Sequence, residues 1–145
     1  MKTFVFFLFV VFIFSGCGQK NTQNQPDETN LKYPVYENCD SVHSNEESLA
    51  CMGEKLNLFY HYMLTHDYAG NITNKEDSLI LWLEIDTTGQ LKAQKIEHLS
   101  GKTDKEIDSV IYLITEKSPA FIPAKYEDKK VPFRLKLPVI LTKNH

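Results

Sequence analysis

Hydrophobic and polar positions divide the chain into three unequal stretches. Phe4 to Phe14 is an unbroken apolar run, Gly18 to about Leu31 (GQKNTQNQPDETNL) is almost free of apolar residues, and the remainder alternates with helical or strand periods. Ser44-Asn45-Glu46-Glu47 fits an S-x-x-E capping box, and Leu49, Met52, Leu56, Phe59 and Met63 then recur three or four residues apart. That spacing predicts a first helix ending near His66 or Asp67, before Gly70. Leu79 to Ile85 (LILWLEI) is apolar at both alternating sets of positions until Glu84, which predicts a central strand with at least partial cover on both faces and a core position for Trp82. Asp86-Thr87-Thr88-Gly89 has the residues of a type I turn closed by a left-handed residue, so Leu91 to His98 is expected to fold back as a second strand. Thr103-Asp104-Lys105-Glu106 reads as another capping box, opening a helix with Ile107, Val110, Ile111 and Ile114 inward and Ser118-Pro119 beyond its end. After the extended segment Phe121 to Ala124 and a polar loop from Lys125 to Lys130, Val131, Phe133, Leu135, Leu137, Val139 and Leu141 alternate with Pro132, Arg134, Lys136, Pro138, Ile140 and Thr142, the pattern of a strand with one face on the core. Pro132 and Pro138 lack ladder donors and place this strand at a sheet edge. Helix, strand, strand, helix, strand predicts an α+β fold: a small antiparallel sheet of about three strands with two helices packed on one face.

Composition narrows the class further. At 145 residues, 42% hydrophobic and 24% charged, the chain fits one compact domain with appendages and excludes collagen, coiled coil and wholesale disorder. Its 16 Lys and Arg face 19 Asp and Glu without a long block of either sign, so no nucleic-acid partner is expected. The Phe4 to Phe14 run is shorter than the roughly 18 residues that a spanning helix needs, and with Lys2 before it reads as a signal peptide. It ends in Phe14-Ser15-Gly16-Cys17, which resembles the bacterial lipobox. That resemblance implies cleavage after residue 16, lipidation of Cys17, and two or three acyl chains holding the protein on one leaflet. The alternative is a buried strand with a chance Cys. Gly18 is not the Asp associated with inner-membrane retention of such lipoproteins, so the expected address is the outer membrane, facing the periplasm, with the cell surface as the other option. Loss of residues 1–16 removes Lys2 and no acid, lowering a net charge that is already -3, so anionic head groups are not attracted. The expected organisation is a signal peptide over 1–16, a lipidated Cys and flexible tether over 17–32, and a folded domain over 33–145. The tether is too polar to offset its own ordering entropy.

Residues 33 to 142 resemble the C-terminal domain of the TonB energy-transducing family. Leu83-Glu84-Ile85-Asp86-Thr87-Thr88-Gly89 is similar to its strand ending in I-D-x-x-G, Leu99-Ser100-Gly101 to its S-G before the second helix, and Phe121-Ile122-Pro123-Ala124 to its F-x-P-A. Leu135 to Ile140 resembles its final strand, and Pro34 to Cys39 with Cys51 a subgroup with P-x-Y-P-G-C and a second Cys. The family's transducers have an N-terminal transmembrane helix and a long Pro-rich spacer. This sequence shows neither, and Tyr68 to Ser78 replaces the family's Y-P-x-x-A and G-I-x-G stretch, so the domain and its binding mode are expected to carry over without energy transduction.

With Cys17 acylated, Cys39 and Cys51 remain as a pair in an oxidising compartment, where a disulfide is the ordinary outcome; two buried thiols are the alternative. His61 and His66 are poorly spaced to share one helix face, so no metal site is expected. Acids such as Glu46, Glu47, Asp104, Glu106 and Asp108 sit at helix starts, where the macrodipole accounts for them. Ser100 lies outside any G-x-S-x-G elbow, and no Gly-rich phosphate loop is present. Leu58, Phe59, Tyr60 and Tyr62 read as the margin of a core more than as a contact patch. No catalytic residue, cofactor or small-molecule substrate is expected. The leading expectation is a lipid-anchored periplasmic module that binds an envelope protein by adding an extended segment to its sheet edge. Val131, Phe133, Arg134 and Lys136 are the candidate contact residues, with Phe133 and Leu135 holding the strand to the core. Pro132 and Pro138 equally suit an edge that is blocked. The alternative function is a structural or assembly accessory of an envelope complex, bound through helix faces.

Overall fold

The computed structural model describes residues 30–39, 41–72 and 76–142. Cys17 and the signal-peptide region lie outside the described residues. In chain order the elements are β1 (Leu31–Lys32), α1 (Asn45–Tyr62) continued by a π-helical turn (Met63–Asp67), a one-turn α2 (Ala69–Ile72), β2 (Asp77–Ile85), β3 (Leu91–His98), α3 (Lys105–Glu116), β4 (Lys125–Tyr126), β5 (Lys129–Lys130) and β6 (Phe133–Leu141).

The main sheet is antiparallel in the order β3-β2-β6, so β2 is central and β6 is an edge, as the pattern predicts. The fold is α+β. Leu79, Leu81, Leu83 and Ile85 turn to one face of β2 and join Met52, Leu56 and Tyr60 of α1 and Ile107, Val110, Ile111 and Ile114 of α3 in a single core. Helix α1 lies against β6 and α3 against β3. The buried Tyr60 hydroxyl meets Thr115 Oγ1 at 2.6 Å, and Thr115 Oγ1 donates to Ile111 O at 2.7 Å, so the tyrosine is the donor to Thr115 and joins the two helices without an unpaired polar atom. Burial pushes the Tyr60 phenol up to about 12, although the Thr115 bond pulls it down.

Several expectations change in detail. Trp82 is not core: it lies on the other face of β2 and is 36% exposed, so that face is not covered as the apolar run suggests. Leu49 is exposed, and the buried stripe of α1 runs instead through Ser48, Met52, Leu56 and Tyr60. The second helix is capped one residue later than expected. Asp104, not Thr103, accepts from Glu106 N and Ile107 N at 3.0 and 3.2 Å. Ser44 does cap α1, accepting from Glu47 N at 3.1 Å, while the Glu47 carboxylate takes His43 N at 2.7 Å.

The expected polar loop from Lys125 to Lys130 is a hairpin. Its turn residues Glu127 and Asp128 both have positive φ, 47° and 67°, and β4 also pairs with β1, giving a second small sheet in the order β1-β4-β5. Leu31 and Lys32, expected in the tether, therefore belong to a strand. The segment that follows is fixed to the start of α1: Asn45 Nδ2 donates to Leu31 O at 2.6 Å, Tyr33 N donates to Asn45 Oδ1 at 2.9 Å, and Ser48 Oγ donates to Pro34 O at 2.7 Å. The Cys39–Cys51 disulfide closes the same junction across 12 residues, for which chain entropy gives roughly 3 kcal/mol.

The β2–β3 turn forms as its residues dictate. Asp86 Oδ1 accepts from Thr88 N, Thr88 Oγ1 and Gln90 N at 2.8, 2.6 and 3.1 Å, and Gly89 closes the turn at φ 89°. Gly89 O also accepts Phe121 N at 2.8 Å, and a Cβ at Gly89 would overlap the Phe121 carbonyl oxygen. Gly89→Ala therefore combines left-handed strain with a backbone clash. We expect it to lower the unfolding free energy by about 2 kcal/mol or more, read from the midpoint of urea denaturation.

Candidate partner-binding edge

Backbone direction along β2 follows from one bond beyond the end of β3. Leu99 N donates to Ser78 O at 2.8 Å, so even-numbered peptide groups of β2 face β3 and odd-numbered ones face β6. In β6 the residues opposite Leu79, Leu81, Leu83 and Ile85 are Val139, Leu137, Leu135 and Phe133. These odd positions carry the ladder to β2. The peptide groups of Arg134, Lys136, Pro138 and Ile140 point the other way, and among the described residues no strand pairs with them. The missing N–H of Pro138 thus leaves the β2 ladder intact and interrupts only the free side.

The two sheet edges differ. β2 pairs Trp82 with Lys95 and Leu83 with Ala93, which leaves Gln94 of β3 unmatched in a bulge. A bulge twists an edge away from regular pairing. The β2–β6 register runs unbroken from Asp77↔Leu141 to Ile85↔Phe133, so β6 offers the regular edge.

Of the four candidate contact residues, the structure brings Arg134 and Lys136 to the free side. Phe133 faces β2 with its backbone, and its half-buried ring lies 4.8 Å from that of Tyr33. Val131 precedes the strand, and its N–H donates to Ala124 O at 2.9 Å. Pro138 and Ile140, the latter 71% exposed, complete the edge instead.

Side chains at the even positions of β6 share the open sheet face with Trp82. Lys136 Nζ stands 3.9 Å from the Trp82 ring centroid and Lys95 Nζ 5.5 Å on the other flank, while Trp82 Nε1 donates to Glu97 Oε2 at 3.2 Å. Arg134 Nε donates to Glu84 Oε2 at 2.7 Å. That hydrogen bond from Trp82, with the Lys95 ammonium, holds the Glu97 carboxyl below its usual range. On the helix side, a groove of about 340 Å³ with mixed lining separates the β6 edge from α1; Asn57, Leu58, His61, Leu64 and Thr65 form one wall, Val139 and Leu141 the other. Leu58 is 57% exposed.

A second polar cluster fastens the far corner of the sheet. His98 donates or accepts through both ring nitrogens: Nδ1 lies 2.7 Å from Asp77 Oδ2 at the start of β2, and Nε2 lies 2.8 Å from Asp108 Oδ1 in the first turn of α3. Its side chain is 4% exposed. Ser100 Oγ also donates to Asp77 Oδ2, at 3.3 Å. A neutral imidazole has one N–H and cannot satisfy two carboxylates, so this geometry requires the protonated ring. Burial pulls the His98 pKa down, but the hydrogen bonds and charges of Asp108 and Asp77 outweigh it and leave it above the ordinary value. Burial likewise raises Asp77, yet its bonds from His98, Ser78 and Ser100 bring it below the usual carboxylate range.

Sequence reasoning passed over His98 because its partners are distant in the chain. It misplaced Trp82 because every position of Leu79 to Leu83 is apolar. The available signal was on the neighbouring strands: Lys95, Glu97, Arg134 and Lys136 all fall on the face that Trp82 occupies. Among the described residues, no helix is long and apolar enough to cross a membrane. Comparison with family models, with curated proteins and with solved structures gave no match.

The pH dependence of the His98 clasp has a definite sign. A raised imidazole pKa contributes stability below the unfolded value of about 6.5 that is lost as pH climbs through the folded value. The lowered Asp77 value contributes stability above about 3.9 that is lost as pH falls through the folded value. Stability from this cluster should therefore be greatest between those limits. We expect the unfolding free energy to decline from pH 6 to pH 9 and the slope to flatten in His98→Gln, measured by denaturant titration at each pH.

Proposed function

We propose that this chain is a lipid-anchored periplasmic protein-binding module that takes up an extended segment of an envelope protein along the free edge of β6. The observation that carries this reading is the outward row of backbone groups at Arg134, Lys136 and Ile140, in an unbulged strand whose other side is fully paired to β2. Strand addition draws affinity from such main-chain groups and selectivity from alternate side chains. The resemblance of residues 33 to 142 to TonB C-terminal domains agrees with a binding role for the domain, and the lipobox-like Phe14 to Cys17 supplies the anchor. In this proposal the anchor lies in the outer membrane, the domain faces the periplasm, and neither energy transduction nor catalysis is assigned to it.

A second reading, an assembly accessory acting through helix faces, draws on the exposed Tyr62 of α1 and on Tyr112 and Leu113 of α3. The two readings separate by substitution. Arg134→Pro removes an outward donor without touching the β2 ladder, and Tyr62→Ala truncates a helix-face aromatic that stacks on His66 at 4.5 Å. With a photocrosslinking amino acid at Ile140 in intact cells, the edge reading expects a protein adduct that falls severalfold in Arg134→Pro and persists in Tyr62→Ala. Adducts only from a crosslinker at Leu113, lost in Tyr62→Ala, would assign the function to the helices.

A further inference from the structure

We infer that the segment received by β6 is acidic at alternate positions where it passes Arg134 and Lys136 and apolar where it passes Pro138 and Ile140, which for antiparallel pairing puts the apolar half first. This inference rests on the strand-addition reading of the same edge.

The edge has a direction. Its outward-paired positions run from Arg134 and Lys136 to Pro138 and Ile140, basic at one end and apolar at the other. Residues directly opposite across an antiparallel ladder share a face, so the side chains opposite Arg134 and Lys136 would lie on the open face beside two cations. Lys136 has no carboxylate within ion-pair distance among the described residues, and its ammonium rests on the Trp82 ring. Arg134 gives its Nε to Glu84 while the side chain stays 81% exposed. Carboxylates on an incoming strand meet complementary charge there. Opposite Pro138 and Ile140 that complement is apolar. Intervening side chains turn towards α1, into the groove between Leu58 and Val139, whose mixed lining sets no charge preference.

A second copy of this chain fits poorly. Antiparallel self-pairing of β6 centred on Lys136 sets that lysine against its own copy and each Pro138 against Arg134, so like charges meet and two ladder bonds are lost. A shift towards the basic end brings Arg134 opposite Lys136, and a shift towards the apolar end brings Pro138 opposite Lys136. The cations that oppose self-association attract an acidic strand, which forgoes one ladder bond at Pro138 where a second copy forgoes two.

Three synthetic peptides test this against the full chain purified in detergent. One alternates threonine and valine in its N-terminal half and threonine and glutamate in its C-terminal half, so that valine and glutamate share one face; the second has lysine for glutamate; the third has the halves of the first exchanged. The first should perturb the backbone amide resonances of Arg134, Lys136 and Ile140 and bind about tenfold more tightly than either of the others at low ionic strength. Lys136→Glu should reverse the preference between glutamate and lysine peptides. Equal affinity of the first two peptides at those amides overturns the charge assignment, and equal affinity of the first and third overturns the direction, with strand addition intact in both cases. If none of the three perturbs the β6 amides, strand addition itself fails. Concentration-dependent broadening of the same amides without peptide assigns the edge to a second copy and overturns the inference.

Discussion

Every peptide group of β2 faces one of two neighbours, and this alternation organises the rest of the molecule. Even positions are taken by β3 and odd positions by β6, so among the described residues the central strand of the main sheet is paired on both sides and the outer sides of β3 and β6 are left. The same alternation sorts side chains. Leu79, Leu81, Leu83 and Ile85 go to the helices, whereas Trp82 and Glu84 go to the open face. A shift of one residue would place Trp82 in the core and bring four aliphatic side chains to solvent, at a cost of several kcal/mol. Register and facing are one decision, and burial of the aliphatic set makes it.

The helix layer is tied down at three separated points. The disulfide and the bonds from Asn45 and Ser48 attach the N-terminal segment to α1, the buried Tyr60–Thr115 bond links α1 to α3, and the His98 clasp attaches the first turn of α3 to the adjoining ends of β2 and β3. None of these fastenings uses β6. Its outer side is left with a groove beside α1 and a row of main-chain groups that no described strand pairs with. A receiving strand that is already paired along its inner side is the arrangement that the proposed strand addition needs, because affinity then carries little cost for ordering that strand. Bulging at Gln94 makes β3 the less suitable of the two edges.

Much of this was legible in the residues. Capping by Ser44, the turn at Asp86 to Gly89, the edge position of the last strand and the central position of the apolar one all rest on local chemistry within a few residues. The hairpin at Lys125 to Lys130 was not legible, because Glu127-Asp128 lacks the Asn-Gly signature of its turn and the flanking Lys125, Tyr126, Lys129 and Lys130 give no apolar period. Strand β1 was hidden for a similar reason: its contribution is made by backbone groups, which every residue possesses.

For the candidate site the division is the same. Alternation alone determined that Arg134 and Lys136 share one face of an edge strand and that Phe133 and Leu135 share the other, since side-chain direction in a strand has a period of two. Tertiary structure decided which edge is regular, where the absent donor of Pro138 points, and that Trp82 lies under Lys136 and not in the core. It also decided that His98 sits between Asp77 and Asp108. These depend on contacts between segments far apart in the chain, whose relative positions are fixed only when the aliphatic faces of β2, α1 and α3 are buried together.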